Sequence, residues 1–332
     1  MYGIFQFRIL SFLILFSLLT SCGQSPEDKR KDAILTANFY LTTRQCDAAI
    51  SVLEEAGRDQ LDATYLRTLS SAYACKGGFD AITLFATDLA LFATPAPVGG
   101  TTRFSTSDDM TSATDSDFVN LQTAIDILLY AGGLSATEEP TSANRANFFN
   151  TVDAAEINMQ LIYMLMTQMG RYLEFYGNAS AAGVKGQGAG PSDCFLSYEN
   201  LAINPATNFA TYFAGGVTGN CNAGNYLTGG HVGLGAPGTY DVGRVCQGAV
   251  IMNSFFNIFP SVLGTIAGND FPWASSLETA ISTAKSSMET ALPGTLARIG
   301  NVLSQTNCVT LNTGNDDFLQ VYFAFMMETL FQ

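Results

Sequence analysis

Residues 244–270 read RVCQGAVIMNSFFNIFPSVLGTIAGND, with 25 consecutive uncharged positions between Arg244 and Asp270. The run is long enough for a membrane-spanning helix, which needs about 20 apolar residues. Asn253, Ser254, Asn257 and Pro260 lower that insertion signal. Gln247, Ser254, Asn257, Ser261 and Thr265 fall at spacings of seven, three, four and four, forming a narrow polar stripe on an otherwise apolar helix. Such a helix is expected to press its stripe on protein and its aromatic arc on lipid. Gly264 and Gly268 add a small-residue face for close helix packing. A helix buried in a large core is the competing expectation.

The C-terminus repeats the pattern. From Phe318 to Phe331 one charge, Glu328, stands among Leu319, Val321, Tyr322, Phe323, Phe325, Met326, Met327 and Leu330. A transmembrane β-barrel would need sustained alternation of apolar and polar residues over many segments of about ten residues, and the chain lacks it. The fold class expected is therefore mainly α: helical hairpins at the N-terminus, long apolar helices, and a glycine-rich, disulfide-stabilised loop region.

Working toward the N-terminus, residues 177–243 form that glycine-rich insertion, with Cys194 and Cys221 inside it. Residues 142–176 read as a helix with Ile157, Leu161, Leu165, Met169, Tyr172 and Tyr176 on one stripe, widened by Ile162, Met166 and Leu173. Asp115 or Asp117 is placed to cap a helix that ends near Gly132 and Gly133. Residues 32–92 show helical periodicity broken near Arg44, Gly57 to Gln60 and Lys76 to Gly78, which predicts two hairpins. Cys46-Asp47-Ala48-Ala49 matches Phe79-Asp80-Ala81-Ile82 at a shift of 33 residues, close to the tetratricopeptide period of 34. The expected organisation is residues 1–21 as a signal peptide, 22–31 as a lipidated polar tether, 32–92 as tetratricopeptide-like hairpins, and 93–332 as an apolar helical region containing the insertion.

Composition fits an exported chain. Arg8 is followed by an apolar run from Ile9 to Leu19 and the small residues Thr20 and Ser21 before Cys22, the layout of a cleaved signal. Six further cysteines remain, an even number that reads as up to three disulfides in an oxidising compartment. Cys46 and Cys75 lie about one repeat apart and are expected to pair. Cys194, Cys221, Cys246 and Cys308 allow three pairings, of which Cys194 with Cys221 and Cys246 with Cys308 is favoured. The net charge is −14, and mean hydropathy is +0.18. An acidic chain without basic clusters argues against nucleic acid as partner. Its apolar excess predicts surface against lipid or another subunit.

Sites for chemistry are scarce. The chain has no GxSxG or HExxH, and His231 is its one histidine, so neither a catalytic constellation nor a metal site is expected, and no cofactor. Asp108-Asp109, Glu138-Glu139 and Asp316-Asp317 read as solvated or helix-capping pairs. Gly233 to Gly238 matches GxGxxG, but Pro237 interrupts it and no clear strand precedes it. A non-enzymatic role is expected.

Leu19-Thr20-Ser21-Cys22 resembles the lipobox of bacterial lipoproteins, which implies acyl chains on Cys22, and Gly23 implies sorting to the outer membrane of a Gram-negative bacterium. With the hairpins, the further cysteines, the glycine-rich insertion and the aromatic helices, the whole chain resembles the porin-like, lipid-trapping outer-membrane lipoproteins of predatory bacteria. That resemblance implies a bowl- or ring-shaped homo-oligomer, a pentamer or similar ring, that encloses membrane lipid. Carried onto this chain, it makes Ile251, Phe255, Phe256, Phe259 and Leu263 lipid contacts, joined by Phe323 and Phe325. The rival expectation is a periplasm-facing scaffold or adaptor whose repeats bind a protein partner and whose apolar helices are plain core.

Overall fold

The computed structural model describes residues 25–93, 101–104, 110–112, 114–177, 234, 240–266, 296–314, 319, 322–328 and parts of 278–286. Cys22, Cys194, Cys221, His231, the paired aspartates 108–109 and 316–317, and most of the glycine-rich insertion lie outside them. Among the described residues the structure is helical, with no strand. In chain order the helices are α1 (Pro26–Thr42), α2 (Cys46–Ala56), α3 (Ala63–Lys76), α4 (Ala81–Ala86), α5 (Ser116–Leu129), the single turn α6 (Ser142–Arg145), α7 (Thr151–Tyr176), α8 (Val242–Ile266) and α9 (Gln305–Asn312). Short 3₁₀ turns at Asp88–Ala93, Thr101–Arg103 and Leu296–Asn301 and a π turn at Phe323–Glu328 complete the described set.

The helices pack in sequence order: α1 on α2, α2 on α3, α3 on α5, α5 on α7, α7 on α8 and α8 on α9. Each boundary has a local cause. The expected tether ends sooner than its polarity suggested, because Ser25 caps α1 by accepting from the Asp28 amide, Pro26 occupies the first turn, and Glu27 and Asp28 meet the helix dipole there. Residues 26–31 are therefore helix. Asp62 caps α3 and Asp115 caps α5 through their side chains. The helix expected over 142–176 divides, since Asn150 accepts from the amides of Val152 and Asp153 and starts α7 afresh. The second hairpin is short: α4 has six residues, and α3 finds its main partner in α5.

α7 is the centre of the molecule. From Leu161 to Leu173 every residue except Tyr163 is buried, because α3 and α5 cover one side and α8 the other. A helix this apolar has to be enclosed, and its few polar side chains there, Thr167, Gln168 and Arg171, are enclosed with it. The methionines Met164, Met166 and Met169 are core filler here. α8 approaches through Gly248, where a Cβ would come within 2.3 Å of the Tyr172 ring. Tyr172 is buried, and its hydroxyl donates to the Arg244 carbonyl at 3.3 Å.

The aromatic arc of α8 turns inward, in line with the competing expectation of a core helix. Ile251, Phe255, Phe256 and Phe259 are buried within the chain, with Phe255 5.6 Å from the Phe256 ring and 5.4 Å from that of Phe259. Phe323 is buried too, beside Tyr172 and Tyr322. These five are core and not the lipid-facing arc that the resemblance implied; the side chains of Leu263 and Phe325 lie outside the described residues. Of the polar stripe, Ser254 is buried, Gln247 and Asn257 are half-buried and Ser261 is exposed; Asn257 accepts from the Ser142 amide at 3.1 Å and Ser261 from Asn158 at 3.5 Å, so the stripe also meets protein. The physical reason is supply: α7 offers an apolar wall that only an apolar face can cover. Val242–Val262 is the one stretch among the described residues long and apolar enough to cross a membrane, and most of it is buried in the protein.

Two disulfides close the stack. Cys46 and Cys75 are bonded, with Cα atoms 5.6 Å apart, joining the start of α2 to the end of α3. Cys246 is bonded to Cys308 at 5.7 Å, joining α8 to α9. Both pairings follow the sequence reading. Closing loops of 29 and 62 residues contributes about 4 kcal/mol each in the chain-entropy treatment.

Two substitutions test this packing in denaturant titrations. Phe255→Ala should cost about 3–5 kcal/mol, the range for a large core truncation; an unchanged midpoint would mean that the ring faces outward. Gly248→Ala should cost about 1–3 kcal/mol, because the added methyl drives into a close-packed ring.

Candidate functional site

Among the described residues, a cleft lies where the α2–α3 turn, α3 and α5 meet. Gly57 ends α2 with a φ of 85°, and Arg58 and Gln60 follow in the turn. α5 ends at Leu129, and Gly132, at a φ of 90°, donates its amide to the Gln60 carbonyl at 2.8 Å. That bond ties the two turns into a common rim. Between them is a cleft of about 430 Å³ lined by Arg58, Gln60, Leu66, Leu69, Thr123, Asp126, Ile127, Tyr130, Gly133 and Leu134. Its volume lies within the range of ordinary ligand sites.

Helical spacing assembles the walls. Leu66 and Leu69 are three apart on α3, while Thr123, Asp126, Ile127 and Tyr130 repeat at three, four and seven along α5 and its end. The floor is apolar, and polar groups stand around it. Arg58 is already engaged: its guanidinium donates to Glu54 through Nε at 3.1 and 2.9 Å and through Nη2 at 2.5 Å. That hydrogen bonding holds the Glu54 carboxyl below its ordinary range and raises Arg58, so the pair stays ionised. Arg58 is the one cation among the lining residues.

Asp126 differs. Its side chain is exposed, and partial desolvation by the protein atoms around it raises its carboxyl, up to about 6. A hydrogen bond from Gln122 Nε2 at 2.9 Å opposes the rise. Gln122 in turn accepts from Gln168 of α7 at 3.2 Å, so the carboxylate is oriented from the core outward. Tyr130, one turn along α5, is raised first by its own burial and further by the Asp126 charge, against a hydrogen bond with Ser304.

A second polar centre lies at the α5–α6–α7 corner. Arg145 is buried, and its guanidinium donates to the Pro140 carbonyl at 2.5 Å, the Leu129 carbonyl at 3.5 Å, Ser142 Oγ at 3.4 Å and Asn158 Oδ1 at 2.7 Å. Desolvation lowers it to about 10. These acceptors make Arg145 a structural clasp between segments. Glu139 serves the same corner, accepting from the amides of Leu303 and Ser304 at 2.5 and 2.9 Å and from Asn307 at 2.8 Å. Glu138 accepts from the Ser135 amide. Both members of this acid pair hold loops.

Of the residues singled out in the sequence, the structure brings together Cys46 with Cys75, Cys246 with Cys308, and the aromatic set in the core. None of them lines the cleft. Asp126 and Tyr130 carried one available signal, two polar residues four apart at the end of a strongly apolar helix. Among the described residues no group of three or more histidine, cysteine or acidic side chains is placed to hold a metal. No protein-family model, curated protein or solved structure matches the chain.

Asp126 also predicts a pH signature. Its folded-state pKa of about 6 exceeds the ordinary carboxylate value. Between about pH 4 and 6 the folded chain therefore holds a proton that the unfolded chain has lost, and stability falls as pH rises through that window. Thermal melts of Asp126→Asn and the parent protein should coincide at pH 4 and separate above it. The variant should melt higher by a margin that levels off past pH 6; parallel curves across the whole range would exclude the effect.

Proposed function

We propose that the chain is a lipid-anchored helical scaffold of the Gram-negative outer membrane, acylated on Cys22, that binds a protein partner and performs no catalysis. The lipobox and the even set of six cysteines support export and anchoring. The observation that carries the scaffold role is the inward orientation of α8: the aromatic surface that a lipid-holding wall would present is occupied by the chain's own core. A concave surface among the described residues is instead the mixed cleft between α3 and α5. Two acyl chains suffice for stable anchoring, each buried methylene adding about 0.8 kcal/mol. A second membrane contact is then unnecessary for attachment.

A homo-oligomer that encloses lipid, as in the porin-like lipoproteins, is the second proposal. Large apolar side chains left exposed on the described surface favour it, among them Leu35, Phe39, Ile82, Phe85 and Val152. Any ring would close through these outer positions and not through Phe255 or Phe259.

Extraction in mild detergent followed by intact-mass measurement separates the two. A scaffold emerges as a small species carrying only the acyl groups of Cys22, and Cys22→Ser releases it in soluble form. Recovery of a high-mass ring loaded with phospholipid would overturn the scaffold role and establish the second.

A further inference from the structure

Resting on the acylation of Cys22 proposed above, we infer that the end of the helix stack carrying the α1 N-terminus sits on the bilayer, with Leu61, Phe148 and Val152 dipping into its headgroup region. The occupant of this apolar surface is the phospholipid of the leaflet that holds the acyl chains.

Chain direction gathers these three side chains at one end. Arg30 near the start of α1 pairs with Asp59 in the α2–α3 turn at 2.8 Å, and Gly132 after α5 donates to the Gln60 carbonyl of that turn. Arg67 of α3 pairs with Glu156 in the second turn of α7, whereas Arg171 near the far end of α7 donates to the Gly77 carbonyl after α3. α7 therefore starts at the end where α1 and α3 start. Leu61 follows Gln60 in the turn, and Phe148 lies against Gly132, where a Cβ would come within 2.6 Å of its ring. Val152 is in the first turn of α7. The three side chains are 63%, 46% and 65% exposed.

The tether decides what that end meets. Cys22 stands three residues before Ser25, the cap of α1, and three residues reach at most about 10 Å. Acylation therefore keeps the start of α1 at the membrane surface. α3 packs on α1 and α7 packs on α3, so the start of α7 lies within about 20 Å, two helix spacings. Apolar side chains held in such a position gain by submerging about 5–10 Å into the boundary between headgroups and acyl chains. Charge is not the attraction: Arg30, Lys31 and Arg58 are paired with Asp59, Glu27 and Glu54. Asp28 in the first turn of α1 and Asp62 at the cap of α3 add negative charge at the same end. Anionic lipid recruits clusters of lysine and arginine, so a zwitterionic bilayer suffices here. The acyl chains attach the protein, and this contact orients it end-on. Phe39 on α1, 65% exposed, is then carried about 20 Å along the helix and away from the surface.

The experiment uses the full-length acylated protein in phosphatidylcholine vesicles brominated near the headgroup end of the acyl chains, with tryptophan fluorescence as readout. Leu61→Trp, Phe148→Trp, Val152→Trp and Phe39→Trp are compared with the parent, whose one tryptophan, Trp273, sets the background. Bromolipid should quench the fluorescence added by the first three substitutions roughly twofold and leave that added by Phe39→Trp unchanged, and phosphatidylglycerol should not deepen the quenching. Quenching of Phe39→Trp as strong as that of the other variants means that the protein lies side-on and overturns the inference, as does quenching of none of them. Emission shifts that grow with protein density in unbrominated vesicles, without quenching by bromolipid, assign the surface to a second copy and overturn it as well. Attachment is read separately by flotation: a protein that floats with the vesicles but is not quenched loses this inference alone, whereas one that does not float loses the Cys22 anchor and the inference with it.

Discussion

A helix buried on nearly every side from Leu161 to Leu173 has to be surrounded, and α3, α5 and α8 are placed by surrounding α7. α3 and α5 cover one flank and α8 the other, so the order of the stack repeats the order of the chain. The closest approach is at Gly248, where the absence of a side chain lets α8 settle against Tyr172. A side chain there would displace α8, and with it the Cys246–Cys308 bond that holds α9 and the wall formed by Tyr322 and Phe323. The central constraint is steric before it is chemical.

Enclosing α7 also brings polar atoms inside, and several of them join layers. Ser70 donates to the Ala124 carbonyl at 2.8 Å across α3 and α5, and Gln168 donates to the Phe118 carbonyl at 2.9 Å across α5 and α7. Asn253 donates to the carbonyls of Ile299 and Val302 at 2.7 and 2.9 Å and accepts from Tyr322. Each such bond contributes only about 1 kcal/mol net, but leaving its partner unpaired would cost about 1–3 kcal/mol. The bonds therefore fix register between layers that apolar contact alone would let slide. Arg145 is the extreme case, holding four oxygens from the segments it joins.

Much of this was legible from spacing. The breaks at Arg44, Gly57 and Lys76 are observed turns, Asp115 is an observed cap, and two of the disulfides pair as read. What spacing left open was which way an amphipathic helix faces. The stripe of Gln247, Ser254, Asn257, Ser261 and Thr265 was read as the protein side and the aromatic arc as the lipid side; packed on α7 the arc is buried as well, while Ser254 is buried and Asn257 accepts from the Ser142 amide. The periodicity is identical in the two cases, and only the neighbour distinguishes them. The cleft was hidden for a related reason. Arg58, Leu66 and Asp126 belong to three elements and converge where α3 packs on α5 and Gly132 donates to the Gln60 carbonyl, a contact 72 positions apart in sequence.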